Sequence, residues 1–175
     1  MRALRSAAAL AYTERMRAPQ AIQDLYPDDF AHCFGCGRSN PHGHHIKSYV
    51  EGDETVARFT PRADQVAIPG FVYGGLIASL IDCHAIATAS AAAEIAAGRS
   101  IGDGPAPRFV TGSLRVDYLA PTPLGPELEL RSRVRERNER KAVVEVSLSA
   151  AGTVTARGEV VAVRMPSTMQ QPPRR

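Results

Sequence analysis

The apolar positions divide the chain into one long unbroken segment and several short alternating ones. Residues 74–97 are almost wholly Ala, Leu, Ile and other small or apolar side chains, interrupted only by Asp82, His84 and Glu94. So many good helix formers, over more length than a strand reaches, predict a helix, and a helix apolar on every side is a buried one. Gly98 supplies its stop. Ahead of it, 46–50 and 55–60 read as short strands joined at Glu51-Gly52-Asp53. Behind it, 108–119 reads as a strand. In 127–135, Leu128, Leu130 and Val134 fall on one face and Glu129, Arg131, Arg133 and Arg135 on the other. In 142–150, Val144, Val146 and Leu148 alternate with Glu145, Ser147 and Ser149, and 153–164 is the last strand. Asn138 and Ala151-Gly152 mark the hairpin turns. Two strands, a long helix and four strands in an antiparallel meander predict an α+β fold, its sheet curled around one buried helix.

The remaining segments bound this domain. Residues 1–31 read as an N-terminal helical extension, an Ala/Arg helix followed by a turn at Pro27-Asp28-Asp29. The segment 32–44 is a loop dense in Gly, Asn and Pro, and 64–73 is an irregular link broken at Pro69-Gly70. The main domain is expected over 32–166 and a disordered Pro/Gln/Arg-rich tail over 167–175.

Composition narrows the partners. The 175 residues are 44% hydrophobic and 22% charged, as in an ordinary soluble domain. A net charge of +3 and a pI near 9.0 suit an anionic small molecule. Nucleic acid is not expected, because no segment interleaves basic and aromatic residues. Three cysteines, an odd and low count, argue for a reducing compartment, hence the cytoplasm, and against a disulfide framework. The basic start Met1-Arg2-Ala3-Leu4-Arg5 lacks the apolar core of a secretory signal, and no apolar run is expected to reach membrane-spanning length.

The chemistry concentrates in Pro69-Gly70-Phe71-Val72-Tyr73-Gly74-Gly75-Leu76-Ile77-Ala78-Ser79-Leu80-Ile81-Asp82. Gly74 and Gly75 stand where the helix begins, so its unpartnered N–H groups, at the positive end of the dipole, are open to a close approach. Such donors hold a carbonyl oxygen as it becomes an oxyanion. Asp82 lies about two turns on, near the same face, in apolar surroundings that make a carboxylate a stronger base. The plainer reading also stands at this point: the Asp could hydrogen-bond a neighbouring strand, and Gly-Gly could serve tight packing.

The stretch resembles the Pro-Gly…His-Gly-Gly-x-x-x-x-Leu-x-Asp signature of hotdog-fold thioesterases of the PaaI-like, 4-hydroxybenzoyl-CoA thioesterase-like type, with Gly74, Leu80 and Asp82 in register. The loop Cys33-Phe34-Gly35-Cys36-Gly37…Asn40-Pro41-His42-Gly43 is similar to the lead-in of one branch, and Tyr118-Leu119-Ala120-Pro121 with Gly125 to a strand end of the family. The resemblance implies a hotdog fold and hydrolysis of an acyl-CoA or acyl-carrier thioester without metal or organic cofactor, coenzyme A being part of the substrate. It implies Asp82 as general base or nucleophile, Gly74 N–H as the oxyanion donor with Gly75 supporting the turn, and Thr111 orienting water or carboxylate. Arg140 and Lys141 would meet coenzyme A phosphates, and Tyr73 and Asn40 complete the implied substrate contacts. It also implies a homodimer or homotetramer with the site between subunits. The family usually carries His where this chain has Tyr73, and some relatives carry Asn or Gln at Ala67.

Other readings attach to particular residues. The Tyr73 departure motivates a non-catalytic acyl-CoA binder. A hydratase is disfavoured, since the helix region lacks an Asp-x-x-x-x-His pair. Cys33 and Cys36 have ligand spacing, with His32, His42, His44 and His45 nearby, but one Cys-x-x-Cys is a weak zinc signal, and no metal is expected. Cys83 reads as a small buried apolar residue, His84 as a satisfied core histidine ahead of a neighbour of the site, and Arg131, Arg133, Arg135 and Arg137 as a solvated strand face.

Overall fold

The structure, a computed structural model, describes residues 20–169. Six strands, β1 (Ser48–Glu51), β2 (Glu54–Phe59), β3 (Phe109–Tyr118), β4 (Leu128–Arg137), β5 (Lys141–Ala150) and β6 (Thr153–Arg164), surround one helix, α1 (Gly74–Ala96). They form one antiparallel sheet in the order β1-β2-β4-β5-β6-β3. One long helix packed on such a sheet is the hotdog arrangement.

The alternation in β5 is realised in its packing: Val144, Val146 and Leu148 are buried with Leu128 and Leu130 of β4 and Val160 of β6 in a single core. From α1 the core takes Leu76, Ile77, Leu80, Ile81, Ala85, Ile86, Ala87, Ala89 and Ala91. The helix packs tightly against Gly158 of β6, where an added Cβ would lie 2.3 Å from Ile81 Cγ2. That approach pins the residue before Asp82 against the sheet.

Two expectations need correcting. Only β4, β5 and β6 form a meander, because β3 pairs with β6 at the sheet's edge and β2, not β3, pairs with β4. A pairing between strands that are not sequence neighbours leaves no local trace. The second concerns membrane-spanning length: α1 is long and apolar enough to cross a membrane, yet 72% of its apolar window is buried inside this fold. Its apolarity serves the core.

Of the expected N-terminal helical extension, residues 1–19 lie outside the described ones. Residues 22–25 and 28–30 form two 3₁₀ turns, the second at the expected Pro27-Asp28-Asp29 turn. Ile22 and Tyr26 are buried against the main core. Of the expected tail, Ser167–Met169 makes a short 3₁₀ turn and the rest lies outside the described residues.

His84 is a satisfied core histidine. Its Nε2 lies 3.2 Å from the Thr55 carbonyl, which can only accept, so Nε2 carries the proton. Nδ1 then accepts from Ser48 Oγ at 2.8 Å, and Gln23 Nε2 donates to that same oxygen at 2.8 Å. Burial holds the imidazole down to a pKa of about 4, against a smaller upward pull from the Thr55 carbonyl. The arginines of β4 face solvent as expected. Arg131 pairs with Glu54 and Glu129, and Arg135 with Glu136, Glu145 and Glu159.

Candidate active site

Tyr73 caps α1 without a side-chain hydrogen bond. Its own N–H is satisfied by Gln65 O at 3.0 Å, and its carbonyl accepts from Leu76 N at 3.0 Å. Among the described residues, neither Gly74 N–H nor Gly75 N–H meets an acceptor. Two bare donors therefore stand at the positive end of a 23-residue helix. An open cleft of about 330 Å³ adjoins them, lined by Phe71, Gly74, Ile77, Tyr118 and Leu119 among others. Tyr118 Oη donates to Gly74 O at 2.8 Å and fixes the first turn against β3.

Asp82 is half-buried on the side of α1 that faces β3. Thr111 Oγ1 donates to its Oδ1 at 2.5 Å. Burial raises the carboxyl above the usual range, the Thr111 hydrogen bond lowers it, and the Cys33 sulfur raises it further; the net direction is up.

Thr111 and Tyr118 are seven residues apart, an odd number that would put them on opposite faces of a regular strand. Both nonetheless reach α1. The reason is a bulge at Gly112: Thr111 pairs with Ala162 and Ser113 with Val161, leaving Gly112 as the extra residue. The bulge shifts the alternation by one and aims Thr111 at Asp82 and Tyr118 at Gly74.

β3 is an edge strand with an unpaired side. Leu114, Tyr118 and Leu119 are exposed there, as are Phe71 and Tyr73 beside them. The Tyr73 ring lies over Gly75, where an added Cβ would be 2.5 Å from it.

Other residues expected at the site lie elsewhere in the chain. Asn40 turns its amide inward to the loop, accepting from His42 N and donating to His32 O at 3.2 Å, so its polar atoms are engaged in closing that loop. Arg140 lies in the β4–β5 turn and Lys141 is the first residue of β5, and the backbone N–H of each donates to Asn138 Oδ1. Arg140 lines a groove with Ala89, Ala93 and Ala96, roughly 10–20 Å along the helix axis from Asp82. One chain brings together Asp82 and Thr111, and separately Tyr73, Gly74, Gly75 and Tyr118.

Sequence reasoning missed Tyr118 as the clasp of the helix start and Cys83 as a neighbour of the Cys33-x-x-Cys36 pair. The Sγ atoms of Cys33, Cys36 and Cys83 lie within 4.8 Å of one another. Hydrogen bonds from the Cys36 and Cys83 thiols hold the Cys33 thiol well below its ordinary range, while Cys36 and Cys83, its partners, are pushed up.

The family profile of the thioesterase superfamily matches residues 69–157, a segment that runs from the turn before α1 into β6. A thioesterase superfamily protein from Shewanella loihica PV-4 is 50% identical, with a TM-score of 0.61, over 79% of this chain and 98% of that one. The chain therefore belongs to the thioesterase superfamily. More distant structures share the fold: the E. coli PaaI protein of the phenylacetic acid degradation operon at 20% identity, TM-score 0.54, over 69% of this chain and 78% of that one; and smu.793 from Streptococcus mutans UA159, bound to acetyl CoA, at 16% identity, TM-score 0.53, over 69% of this chain and 88% of that one. No curated protein matches.

Proposed function

We propose that this chain hydrolyses an acyl-CoA thioester, with Asp82 as the carboxylate that activates water and Gly74 N–H as the donor to the oxyanion. The observation that carries the proposal is the Asp82 carboxyl itself, half-buried, raised in pKa and oriented by Thr111. In the step, Asp82 takes a proton from water as its oxygen attacks the carbonyl carbon. The carbonyl oxygen becomes an oxyanion facing the Gly74 N–H. Collapse breaks the C–S bond, and the thiolate recovers a proton from Asp82. The coenzyme A class of substrate is supported by a relative in fold, smu.793, that is bound to acetyl CoA.

Gly74 and Asp82 of one chain cannot serve the same carbonyl. Eight residues of α-helix put them about 12 Å apart along the axis, whereas donor and base must both lie within about 3 Å of adjacent atoms. The proposed site is therefore shared: Asp82 and Thr111 of one chain face the helix start of a second copy. The unpaired edge of β3, with exposed Leu114, Tyr118 and Leu119, is where that copy pairs to form a homodimer.

A second reading, a binder that does not turn over its ligand, is favoured by Tyr73, which cannot accept a proton at neutral pH as the family's His can. A panel of acyl-CoA thioesters with detection of released thiol separates the two. Thiol release by the wild type that is lost in Asp82→Asn supports hydrolysis, and binding without thiol release supports the second reading.

A further inference from the structure

The three cysteines of the chain, a close pair and one about fifty residues further on, converge on one point. Cys33 and Cys36 come from the loop that precedes β1, and Cys83 from the third turn of α1, immediately after Asp82. Their sulfurs all lie within 4.8 Å of one another, and Cys33 Sγ is 3.7 Å from Cys83 Sγ. A tetrahedral zinc ion with Zn–S bonds of about 2.3 Å separates its sulfur ligands by about 3.8 Å. One edge of the triangle already has that length, and the others need shifts on the order of 1 Å.

The loop is shaped for this convergence. Gly35 is pressed onto the helix, where an added Cβ would be 2.3 Å from Cys83 Sγ, so only glycine lets the loop lie there. Gly37 N–H donates to Cys33 O at 2.8 Å, closing the Cys-x-x-Cys turn.

A second feature asks for negative charge at the same place. Arg108 lies over the Tyr26 ring at 4.0 Å, and its Nε and Nη1 are buried without a hydrogen-bond partner among the described residues. Its charge acts on Tyr26 and Cys36. A buried cation edge with no acceptor is costly. Three thiolates on Zn²⁺ carry one net negative charge and would offset it.

We infer that Cys33, Cys36 and Cys83 form a zinc site that fastens the 31–46 loop to α1 beside Asp82. On binding, three S–Zn bonds form, the thiols still protonated release their protons to solvent, and no electron changes hands. The fourth position is left to water, since among the described residues no histidine or carboxylate joins the three sulfurs. His44, one of the nearby histidines, is turned elsewhere: it stacks edge-on against Phe34 at 4.7 Å and meets Gln65. The site is structural, and it stands whether or not the thioesterase reading does.

The test uses the full chain, purified under reducing conditions, loaded with Zn²⁺ and freed of excess. Plasma emission should find about one zinc per chain, and Co²⁺ in its place should give sulfur-to-cobalt charge-transfer absorption. Cys33→Ser and Cys83→Ser should each weaken zinc retention at least about 100-fold, while His42→Ala retains it. Should the cysteine variants not fold, the wild type decides: chelation should lower its melting temperature and expose all three thiols to a thiol reagent. Substoichiometric zinc after loading, zinc retained by both cysteine variants, a Cys33–Cys83 disulfide under reducing conditions, or melting indifferent to chelation would overturn the inference.

Discussion

The Thr111 hydroxyl donates to Asp82 Oδ1 at 2.5 Å, and among the described residues the second carboxylate oxygen has no hydrogen-bond donor. The bond orients the base without spending it. Thr111→Val should lower kcat/KM by about tenfold, the worth of one hydrogen bond to a charged group. Thr111→Ser, which keeps the hydroxyl, should stay close to wild type. Steady-state kinetics on one acyl-CoA checks both.

Burial raises the Asp82 pKa, and a base works only when deprotonated. Activity should therefore fall as pH drops through the folded pKa, with the acid limb of kcat/KM above the pH of an ordinary aspartate. The sign for stability follows from the same shift. The folded state holds this proton more tightly than the unfolded one, so Asp82 costs stability as pH rises past its unfolded value. Asp82→Asn should melt higher than wild type at neutral pH, with a gain that shrinks on acidification.

His84 behaves oppositely. Its pKa is held down to about 4 in the core, so the unfolded chain binds a proton that the folded chain refuses. Stability should fall as pH drops from about 6.5 to about 4, by on the order of 3 kcal/mol across that window. Thermal melting at stepped pH checks this. His84→Asn should be less stable at pH 7 and should lose the His84 share of the slope.

Gly74 is the first residue of α1, a position that tolerates proline because its N–H has no intrahelical partner. Tyr73 before it is already extended, at φ −62 and ψ 127, as a residue before proline must be. Gly74→Pro therefore removes the proposed donor while sparing the helix, and should cost about 100- to 1,000-fold in kcat. Gly74→Ala keeps the N–H, and its Cβ would meet Tyr118 Oη at 3.4 Å, ordinary contact. It should retain most activity.

What the sequence disclosed was local. The apolar run ended by Gly98 announced α1, and alternation announced β4 and β5, with ends within a few residues of those observed. The Gly74–Asp82 register sat on a single helix and could be read directly. What stayed hidden depends on partners distant in the chain. The pairing of β3 with β6 is one case. The bulge at Gly112, which decides the face of Thr111, is another. The meeting of Cys83 with Cys33, fifty residues away, has no local signature at all. Asn40 illustrates the converse: its motif was visible, but only the structure revealed that its amide closes its own loop.

The central claim is that Asp82 of one chain and Gly74 of another act on one thioester. Mixing two inactive variants tests it most directly. Asp82→Asn and Gly74→Pro are each purified, then dissociated and reassociated at equal concentration, and thiol release is measured. A shared site predicts that mixed dimers hold one site with both defects and one with neither, restoring roughly a quarter of wild-type activity. A mixture as inactive as its components, with mixed dimers present, would contradict it.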